Sequence, residues 1–435
     1  EKNKDDINAI YGGARKVFRI IGFIILGIIF LVTLGLHLFY NFEEGYKVSA
    51  LICFFIISTS YLISYFGKGQ TYMAVLSAAQ EKYVYSLIFN GVKLLCDILI
   101  VVVTIKFKTL ESIAIVILAM KILEEIINRI VVKKKYPELH EIARKDTSMV
   151  RMTKDLAWTQ LGYLILNNVD ALLLMGFNGP VMVSIYTTYN YILRFLTEIA
   201  SRVELSSVYS FGNVFAKKEE KRVYPLFKEY MMMFILIAFS MCLTFMIGIR
   251  GFVSVWVGKE NYILDYITIV LFTSTSFLNI LYFPLVALIN ADGLFKDNKK
   301  HIFICASVNL ILSIILINYL GINGILLGTG VAFLVNIALK SNLISKKITK
   351  EIKLSNILKY YIITIILFIV LSVALKPVEN YFLLTAGGFI TTILKLGIIF
   401  IIITLLTSLI LYVVSNDAKN LFRRLLNLIK RKLKK

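Results

Sequence analysis

Charged residues are scarce in this 435-residue sequence, and their scarcity argues against an ordinary soluble domain. Only 17% of the residues are charged and 58% are hydrophobic, whereas soluble domains are about one quarter charged and just under half apolar. Proline is rare as well, with 5 residues, and together with 24 glycines this argues against a fibrous or loop-rich protein. The lipid bilayer is therefore the expected solvent of most of the chain.

Cysteine and histidine are too few and too scattered to predict a metal or redox centre. The four cysteines lie inside apolar runs and form no CxxC pair, so we interpret them as small buried hydrophobic residues. The three histidines, His37, His140 and His301, are far apart, and the sequence has no HExxH, P-loop or GxSxG motif. We predict that the chain is not an enzyme and needs no cofactor or metal.

Long apolar runs divide the chain into twelve candidate membrane spans. A spanning helix needs about 20 mainly apolar residues, and runs such as IIGFIILGIIFLV do not alternate as the strands of a membrane barrel do. An all-α membrane protein is therefore predicted. The predicted spans are residues 17–39, 48–66, 83–105, 109–131, 156–177, 181–203, 226–249, 264–290, 301–320, 322–343, 356–375 and 385–414.

The distribution of lysine and arginine predicts the orientation of these spans. The net charge is +21, and most of the basic residues lie in alternate loops, such as 133–135 and 217–222, which we expect to face the cytoplasm. Both ends of the chain then lie on that side. Because the cations separate apolar runs instead of covering a soluble face, nucleic acid is not an expected partner. The tail, 416–435, is predicted to be a basic amphipathic helix that lies on anionic membrane lipids, with partner binding as the alternative.

A recurring polar segment predicts an internal repeat. AVLSAAQEKY (74–83) and LVALINADG (285–293) each close the second span of a pair and precede a third, and aligning Ala79 with Ala291 sets the offset at 212 residues. Transporters are often built from such repeats. We therefore predict two pseudo-symmetric helical bundles.

The same alignment predicts helices ahead of the sequence. Spans 156–177 and 181–203 have no counterparts before residue 17, so we expect two more helices before residue 1 and fourteen in all; the absence of an initial methionine agrees, and a protein of twelve helices is the alternative. The predicted organisation is an N-terminal bundle (1–135), a cytoplasmic linker (136–154), a C-terminal bundle (155–345), two extra spans (346–415) and the tail (416–435).

Several segments resemble one known family. WTQLGYLILNNVDALLLMGFNGPVMVSIYTTYNYILRF (158–195) has an Asn-rich turn before Asp170, a short Gly-containing loop and a Tyr-rich helix. With LSAAQEKYVYS (76–86), FKEYMMMF (227–234) and ALINADG, the sequence resembles Wzx-type polysaccharide-biosynthesis flippases of the multidrug/oligosaccharidyl-lipid/polysaccharide exporter superfamily over essentially its whole length.

The resemblance implies two bundles in a V around a central cavity and alternating access. It also implies a cargo, undecaprenyl-diphosphate-linked oligosaccharide, which is moved to the outer leaflet of the bacterial cytoplasmic membrane. Glycosyltransferases and a polymerase of the same pathway are expected partners. A lipid II-type flippase and a multidrug or cation exporter of the same superfamily are alternatives, and a membrane-embedded polymerase or ligase is an alternative of another class.

Charged residues inside the predicted spans are functional candidates, because an ionisable group at the centre of a bilayer costs about 2.5–3.5 kcal/mol. Lys93 and Asp97 share a helical face, as do Lys121 and Glu125, because residues four apart lie on one stripe. Each stripe should face a partner helix or a wet cavity. A structural salt bridge within each pair is the competing interpretation.

Arg194, Glu198 and Arg202 form a third such stripe, and Tyr191 shares a face with Arg194. Arginine binds phosphate through paired hydrogen bonds, so we predict that Arg194 and Arg202 bind an anionic substrate, together with Lys93 and Lys121. Tyr191 would contact sugar faces, although aromatic residues are more often used for packing.

Acids and amides inside the spans are candidates for binding a coupling ion. Asp170, with the neighbouring Asn167, could bind a cation, a proton or an adjacent helix. Asp97 and Glu198 are further candidates, and His37 could titrate in a proton-coupled cycle, although a packing role is more typical.

Overall fold

Helices make up both of the compact units into which the chain divides, residues 1–153 and 154–435. Within the described residues no strand is present, so the predicted all-α fold class is confirmed. The structure, a computed structural model, describes residues 4–39, 45–79, 81–142, 148–348 and 354–433.

The N-terminal unit contains six complete helices within its described residues. The predicted spans lie in α1, α2, α5 and α6, while the short α3 and α4 continue the second span after breaks near Tyr61 and Gly67. The helices are α1 (Lys4–Phe39), α2 (Lys47–Ser60), α3 (Ile63–Phe66), α4 (Gly69–Ala78), α5 (Lys82–Phe107) and α6 (Leu110–Lys135).

The C-terminal unit continues from the long helix α7 to the end of the described chain. Short 3-10 turns lie before α8 and before α9, at Glu220–Arg222 and Glu260–Tyr262. The helices are α7 (Ser148–Ala216), α8 (Val223–Trp256), α9 (Tyr266–Leu281), α10 (Phe283–Asp292), α11 (Phe295–Leu320), α12 (Ile322–Lys347), α13 (Leu354–Ala374), α14 (Lys376–Leu384), α15 (Phe389–Val414) and α16 (Asn416–Leu433).

Ten helices of the described residues are long and apolar enough to cross a membrane, by length and composition. Two features explain why this number is smaller than the twelve predicted spans. Helix α6 is 26 residues long, but charged side chains interrupt its apolar sequence. Helix α7, at 69 residues, holds two predicted spans that meet at Gly179, where the backbone leaves the helical conformation. The chain is a multi-pass membrane protein.

The internal repeat is visible in the lengths of the helices. Helices α5 and α11 have 26 residues each, α6 and α12 have 26 each, and α4 and α10 have 10 each. Helix α6 begins at Leu110 and ends at Lys135, and α12 begins at Ile322 and ends at Lys347, so both ends are 212 residues apart. The two predicted bundles therefore share one order of helices.

Buried polar residues follow the same offset. Glu124 and Asn128 lie on α6, and Asn336 and Lys340 lie 212 residues later on α12. All four side chains are buried. The repeat thus keeps two polar positions in the interior of each unit.

Each unit also has a broken membrane-crossing segment, between α2 and α4 in the N-terminal unit and between α9 and α10 in the C-terminal unit. In the C-terminal unit Pro284 lies at the start of α10, where its missing N–H needs no partner. In the N-terminal unit the carboxylate of Glu125 accepts hydrogen bonds from the backbone N–H groups of Lys68 and Gly69, at 2.6 and 2.9 Å. Gly67 is required beside this contact, because a Cβ there would lie 2.5 Å from Glu125 Oε1.

Helices α11 and α12 of the C-terminal unit pack closely against each other. A Cβ on Gly324 would lie 2.4 Å from the carbonyl oxygen of Leu316, and one on Gly328 would lie 2.5 Å from Ser313 Oγ. The GxxxG spacing therefore lets the two backbones approach closely, as it does in other membrane helices.

The tail helix α16 packs against its own unit. Lys228 of α8 pairs with Asp417 at 2.8 Å, Arg424 pairs with Glu229 at 3.0 Å, and Leu421 is buried. The first turns of the tail therefore contact protein, and their predicted contact with anionic lipids remains a prediction. The side chains from residue 425 onward lie outside the described part of the structure.

Candidate functional site

The kink in α7 builds the interior of the C-terminal unit. Gly179 has φ of +80°, a conformation that favours glycine, and Pro180 follows it. The two halves of the helix therefore turn towards each other. As a result, Tyr186 in the second half donates a hydrogen bond of 3.1 Å to Asp170 in the first half.

Asp170 is buried and makes its other contacts with α12. The hydroxyl of Thr329 lies 3.2 and 3.1 Å from the two carboxylate oxygens and donates to this group. The amide of Asn309 on α11 donates in turn to the Thr329 hydroxyl, at 2.8 Å. A hydrogen-bonded chain thus connects three helices at an acid inside the membrane.

Further oxygen atoms surround this chain. Asn309 Oδ1 and Ser313 Oγ are buried and have no hydrogen-bond partner among the described residues. Ser313 lies against Gly328, the neighbour of Thr329. Carboxylate, hydroxyl and amide oxygens are the ligands that hard cations prefer. The cluster therefore contains oxygen atoms of the kind that bind a small cation.

A small cavity opens beside this cluster, with a volume of about 70 Å³. Ligand pockets for drug-sized molecules are about 300–1,000 Å³, so this cavity has room for a few water molecules or an ion and not for an oligosaccharide. Its polar lining residues are Asp170, Tyr186, Asn190, Arg194, Thr197, Thr275, Ser276, Asn279 and Thr329.

Arg194 lies at this cavity with an exposed side chain, and its Nη2 donates to Asn168 Oδ1 at 2.9 Å. Two predicted candidates, Asp170 and Arg194, are therefore at one cavity. Tyr191, Glu198 and Arg202 are exposed on the same half of α7 but do not line it. The side chain of the remaining candidate in α7, Asn167, lies outside the described part of the structure.

The candidates in the N-terminal unit do not form the salt bridges considered from sequence. Lys93 and Asp97 are both exposed on α5, and no ion pair joins them in the described structure. Lys121 pairs with Glu124 at 2.8 Å instead of Glu125, and its Nζ lies 5.1 Å from the ring centroid of Phe89. The Lys121–Glu125 interpretation is wrong because Glu125 is bound to the backbone N–H groups that begin α4.

Sequence reasoning missed two buried charges of the C-terminal unit. Lys340 is fully buried, and its ammonium group contacts the side-chain oxygen of Asn298. Glu379 is also fully buried and pairs with Arg250 at 3.1 Å. The helical spacing of Thr329, Asn336 and Lys340 in α12 was a sequence signal that Lys340 lies on a buried polar face. No local sequence signal indicates that Glu379 is buried.

No group of three or more His, Cys, Asp or Glu side chains in the described ranges is arranged to hold a metal ion. The cluster at Asp170 has a single carboxylate and neutral oxygens. Transition metals prefer nitrogen and sulfur ligands. The oxygen atoms of this cluster are therefore not the ligands that a transition metal prefers.

Two of the solved structures that resemble this chain illustrate its fold, although no family model and no curated protein matches its sequence. One is a mutant of the MATE transporter VcmN from Vibrio cholerae, with a TM-score of 0.51, 14% identity and coverage of 78% of this chain and 80% of that chain. The other is the lipid II flippase MurJ in an inward closed conformation, with a TM-score of 0.59, 14% identity and coverage of 94% and 85%. At this identity the likeness shows the fold, so the chain has the helical fold of these transporters.

Proposed function

We propose that this protein is a flippase that moves undecaprenyl-diphosphate-linked oligosaccharide from the cytoplasmic to the outer leaflet of the bacterial cytoplasmic membrane by alternating access. The similarity to a lipid II flippase over 94% of this chain supports a lipid-linked cargo. The polysaccharide unit is the cargo that the sequence resemblance implies. The basic loops would face the cytoplasm, where such lipids are assembled.

The observation that carries the proposal is the position of Arg194. Its exposed guanidinium lies beside a polar cavity in a unit of membrane-crossing helices and is oriented by Asn168. A guanidinium in this setting suits the paired oxygens of a phosphate. Arg202, Lys93 and Lys121 would add positive charge along the path, and Tyr191 would contact sugar.

Coupling would take place at Asp170. Its carboxylate is held by Thr329 and Tyr186, and the unpartnered oxygens of Asn309 and Ser313 would complete a site for one small cation. Binding or release of that ion would change the charge on a group that connects α7, α11 and α12. Asn167, Asp97 and Glu198 remain candidates for the same role.

An exporter of drugs or cations is the second candidate, and the likeness to a MATE transporter favours it. A binding site for cations should be dominated by acids, whereas the exposed stripe of α7 has two arginines, Arg194 and Arg202, and one acid, Glu198. The charge of the stripe therefore favours an anionic cargo.

Transport by reconstituted protein tests the proposal. A fluorescent lipid-linked oligosaccharide is placed in one leaflet of proteoliposomes, and its arrival in the other is measured by quenching. We expect Arg194→Gln combined with Lys93→Gln to slow transport at least tenfold. Arg222→Gln combined with Lys134→Gln removes the same two charges at exposed positions, one in each unit, and should leave the rate unchanged.

The outcomes separate the alternatives. An unchanged rate in the first double variant, with normal expression, would contradict the cationic path. Recovery of the labelled lipid with longer sugar chains would indicate a polymerase or ligase. Preference for lipid II over oligosaccharide carriers would assign the peptidoglycan precursor, and transport of organic cations alone would assign the exporter.

A further inference from the structure

Four cations converge at one end of the N-terminal unit, away from the candidates named above. Arg15 comes from α1, Lys68 lies between α3 and α4, and Arg129 and Lys133 lie on α6. Lys68 lies outside the predicted spans. Its burial, and then the Arg15 guanidinium, lower the pKa of Lys68 below its ordinary value; Arg129 and Lys133 act in the same direction and Glu141 opposes them.

The carboxylates nearby do not balance these charges. Glu141 pairs with Arg15 and lies 4.0 Å from Lys68 Nζ. The carboxylate of Glu125 is bound to the backbone of the break before α4. Arg129 and Lys133 are exposed and form no ion pair among the described residues. Four cations thus face two carboxylates, which leaves an excess of two positive charges.

Arg15 is held in place and retains an unused donor. Its side chain is only 12% exposed, and its Nε is buried with no acceptor among the described residues. A buried donor without an acceptor is costly, at about 1–3 kcal/mol. The Arg15 guanidinium can therefore still donate a hydrogen bond to an added anion.

An apolar pocket adjoins the cationic cluster. Its volume is about 490 Å³, within the range of ligand pockets. Tyr11 joins the two features, because it lines the pocket and its ring centroid lies 6.0 Å from Lys68 Nζ. Most of the other walls are apolar, and the one lysine and one glutamate among them, Lys4 and Glu138, pair with each other at 2.9 Å and add no net charge. The apolar walls include Ala14, Ala74, Val75, Ala78 and Leu139.

The depth of the cluster matches a lipid headgroup. Arg15 lies two residues before the first predicted span, Lys68 follows the second by two residues, and Lys133 follows the fourth by two. These positions lie at the boundary between the hydrocarbon and water, where cations contact phosphates of lipids.

We propose that this cationic cluster and its apolar pocket bind a lipid diphosphate, with the diphosphate against the four cations and the first part of the chain in the pocket. The excess of two positive charges matches a diphosphate better than the single charge of a phospholipid phosphodiester. The choice of lipid rests on the proposed function, and the site would hold the cargo before it enters the translocation path.

Direct binding tests this site without transport. Native mass spectrometry of the purified full chain measures binding of a polyprenyl diphosphate that carries no sugar. Arg129→Gln combined with Lys133→Gln removes two exposed charges that stabilise no described ion pair, so folding should persist. We expect at least tenfold weaker binding, whereas Lys16→Gln combined with Lys134→Gln, which changes exposed neighbours of the cluster, should bind as the unchanged protein does.

A second variant tests the apolar pocket. Ala78→Phe places a ring in the space lined by Ala74 and Val75. We expect it to weaken binding of the polyprenyl diphosphate and to leave binding of inorganic diphosphate unchanged. Equal loss for both ligands would contradict a role of the pocket in holding the chain.

The remaining outcomes decide between the sites and the lipids. Unchanged binding in the Arg129 and Lys133 variant would overturn the proposal even if transport proceeds. Equal affinity for phosphatidylglycerol would show a site for bulk lipid and overturn the choice of a diphosphate. The lipid diphosphate could bind through the cluster while transport assays show movement of organic cations alone. These two results together would support the site and contradict the proposed function.

Discussion

The hydroxyl of Thr329 donates a hydrogen bond to the carboxylate of Asp170, although 159 positions separate the two residues in the sequence. The contact joins α12 to the first half of α7 at a depth where a charged group is costly. A change in the charge of Asp170 therefore alters the interaction between two membrane-crossing helices.

Replacing Asp170 with asparagine tests this group as the coupling site. Asp170→Asn keeps an oxygen for the Thr329 and Tyr186 hydroxyls but removes the negative charge. A ligand present at a hundredfold excess over its Kd stabilises a protein by about 2.7 kcal/mol, and we expect Na⁺ to raise the Tm of the unchanged protein and not of this variant. Asp292→Asn, at the exposed end of α10, should retain the shift.

The same measurement can contradict the assignment. An equal Na⁺-dependent shift in Asp170→Asn would exclude this carboxylate as an ion ligand. The unchanged protein could instead show a Tm that depends on pH and not on Na⁺. If the Tm of Asp170→Asn then depended on neither, the result would assign a proton to the site.

The close packing of α11 and α12 predicts that alanine substitutions at two glycines six residues apart lower the free energy of unfolding by different amounts. Gly324→Ala places a Cβ 2.4 Å from the Leu316 carbonyl oxygen, so the helices must separate. Overpacking of this kind costs about 1–3 kcal/mol. At Gly330 the nearest atom is Thr275 Cγ2 at 3.8 Å, so Gly330→Ala should be tolerated. Thermal unfolding in detergent compares the two, and equal Tm values would contradict the close approach.

The buried pair of Arg250 and Glu379 should be essential to the link between α8 and α14. Arg250→Met leaves the fully buried Glu379 carboxylate without its partner, and breaking such a pair costs about 3–5 kcal/mol. Arg222→Met breaks the exposed pair with Glu219 and should cost about 0–1 kcal/mol. Thermal unfolding measures both. A second change, Glu379→Leu, should recover most of the loss; failure to recover would mean that Arg250 acts through packing.

Asn298 should stabilise the C-terminal unit through its contact with Lys340. Asn298→Ala leaves a fully buried ammonium without this acceptor, and an unsatisfied buried group costs about 1–3 kcal/mol. Asn318→Ala, on the exposed side of the same helix, removes only a bond to the backbone of its own helix and serves as the control. If both variants unfold at the temperature of the unchanged protein, the contact with Lys340 does not stabilise the fold.

The order of the membrane-crossing helices could be predicted because the thickness of the bilayer fixes the length of apolar sequence that a span needs. The helix at α6 was predicted despite its charges because the surrounding residues are strongly apolar. The division near Gly179 was predicted as a short loop between two spans, and the backbone leaves the helical conformation at that residue. The central cavity, the helices before residue 1 and the orientation remain predictions.

The partners of the charged residues could not be predicted from spacing. Residues three and four apart are both neighbours on a helix, so sequence alone could not choose between Glu124 and Glu125 for Lys121. Lys121 pairs with Glu124 because the carboxylate of Glu125 accepts hydrogen bonds from the backbone N–H groups at the start of α4. Lys340 was missed because it lies near the end of a predicted span, where a lysine ordinarily extends to the headgroups; α11 covers it instead.

The equal offset of the buried polar residues in α6 and α12 has an evolutionary consequence. One ancestral segment, duplicated once, accounts for two helices of equal length with polar side chains at the same two interior positions. The N-terminal copy now has an acid and an amide, Glu124 and Asn128, and the C-terminal copy has an amide and a base, Asn336 and Lys340. The two helices are therefore polar at the same two interior positions, whereas the charged side chains at those positions have opposite signs.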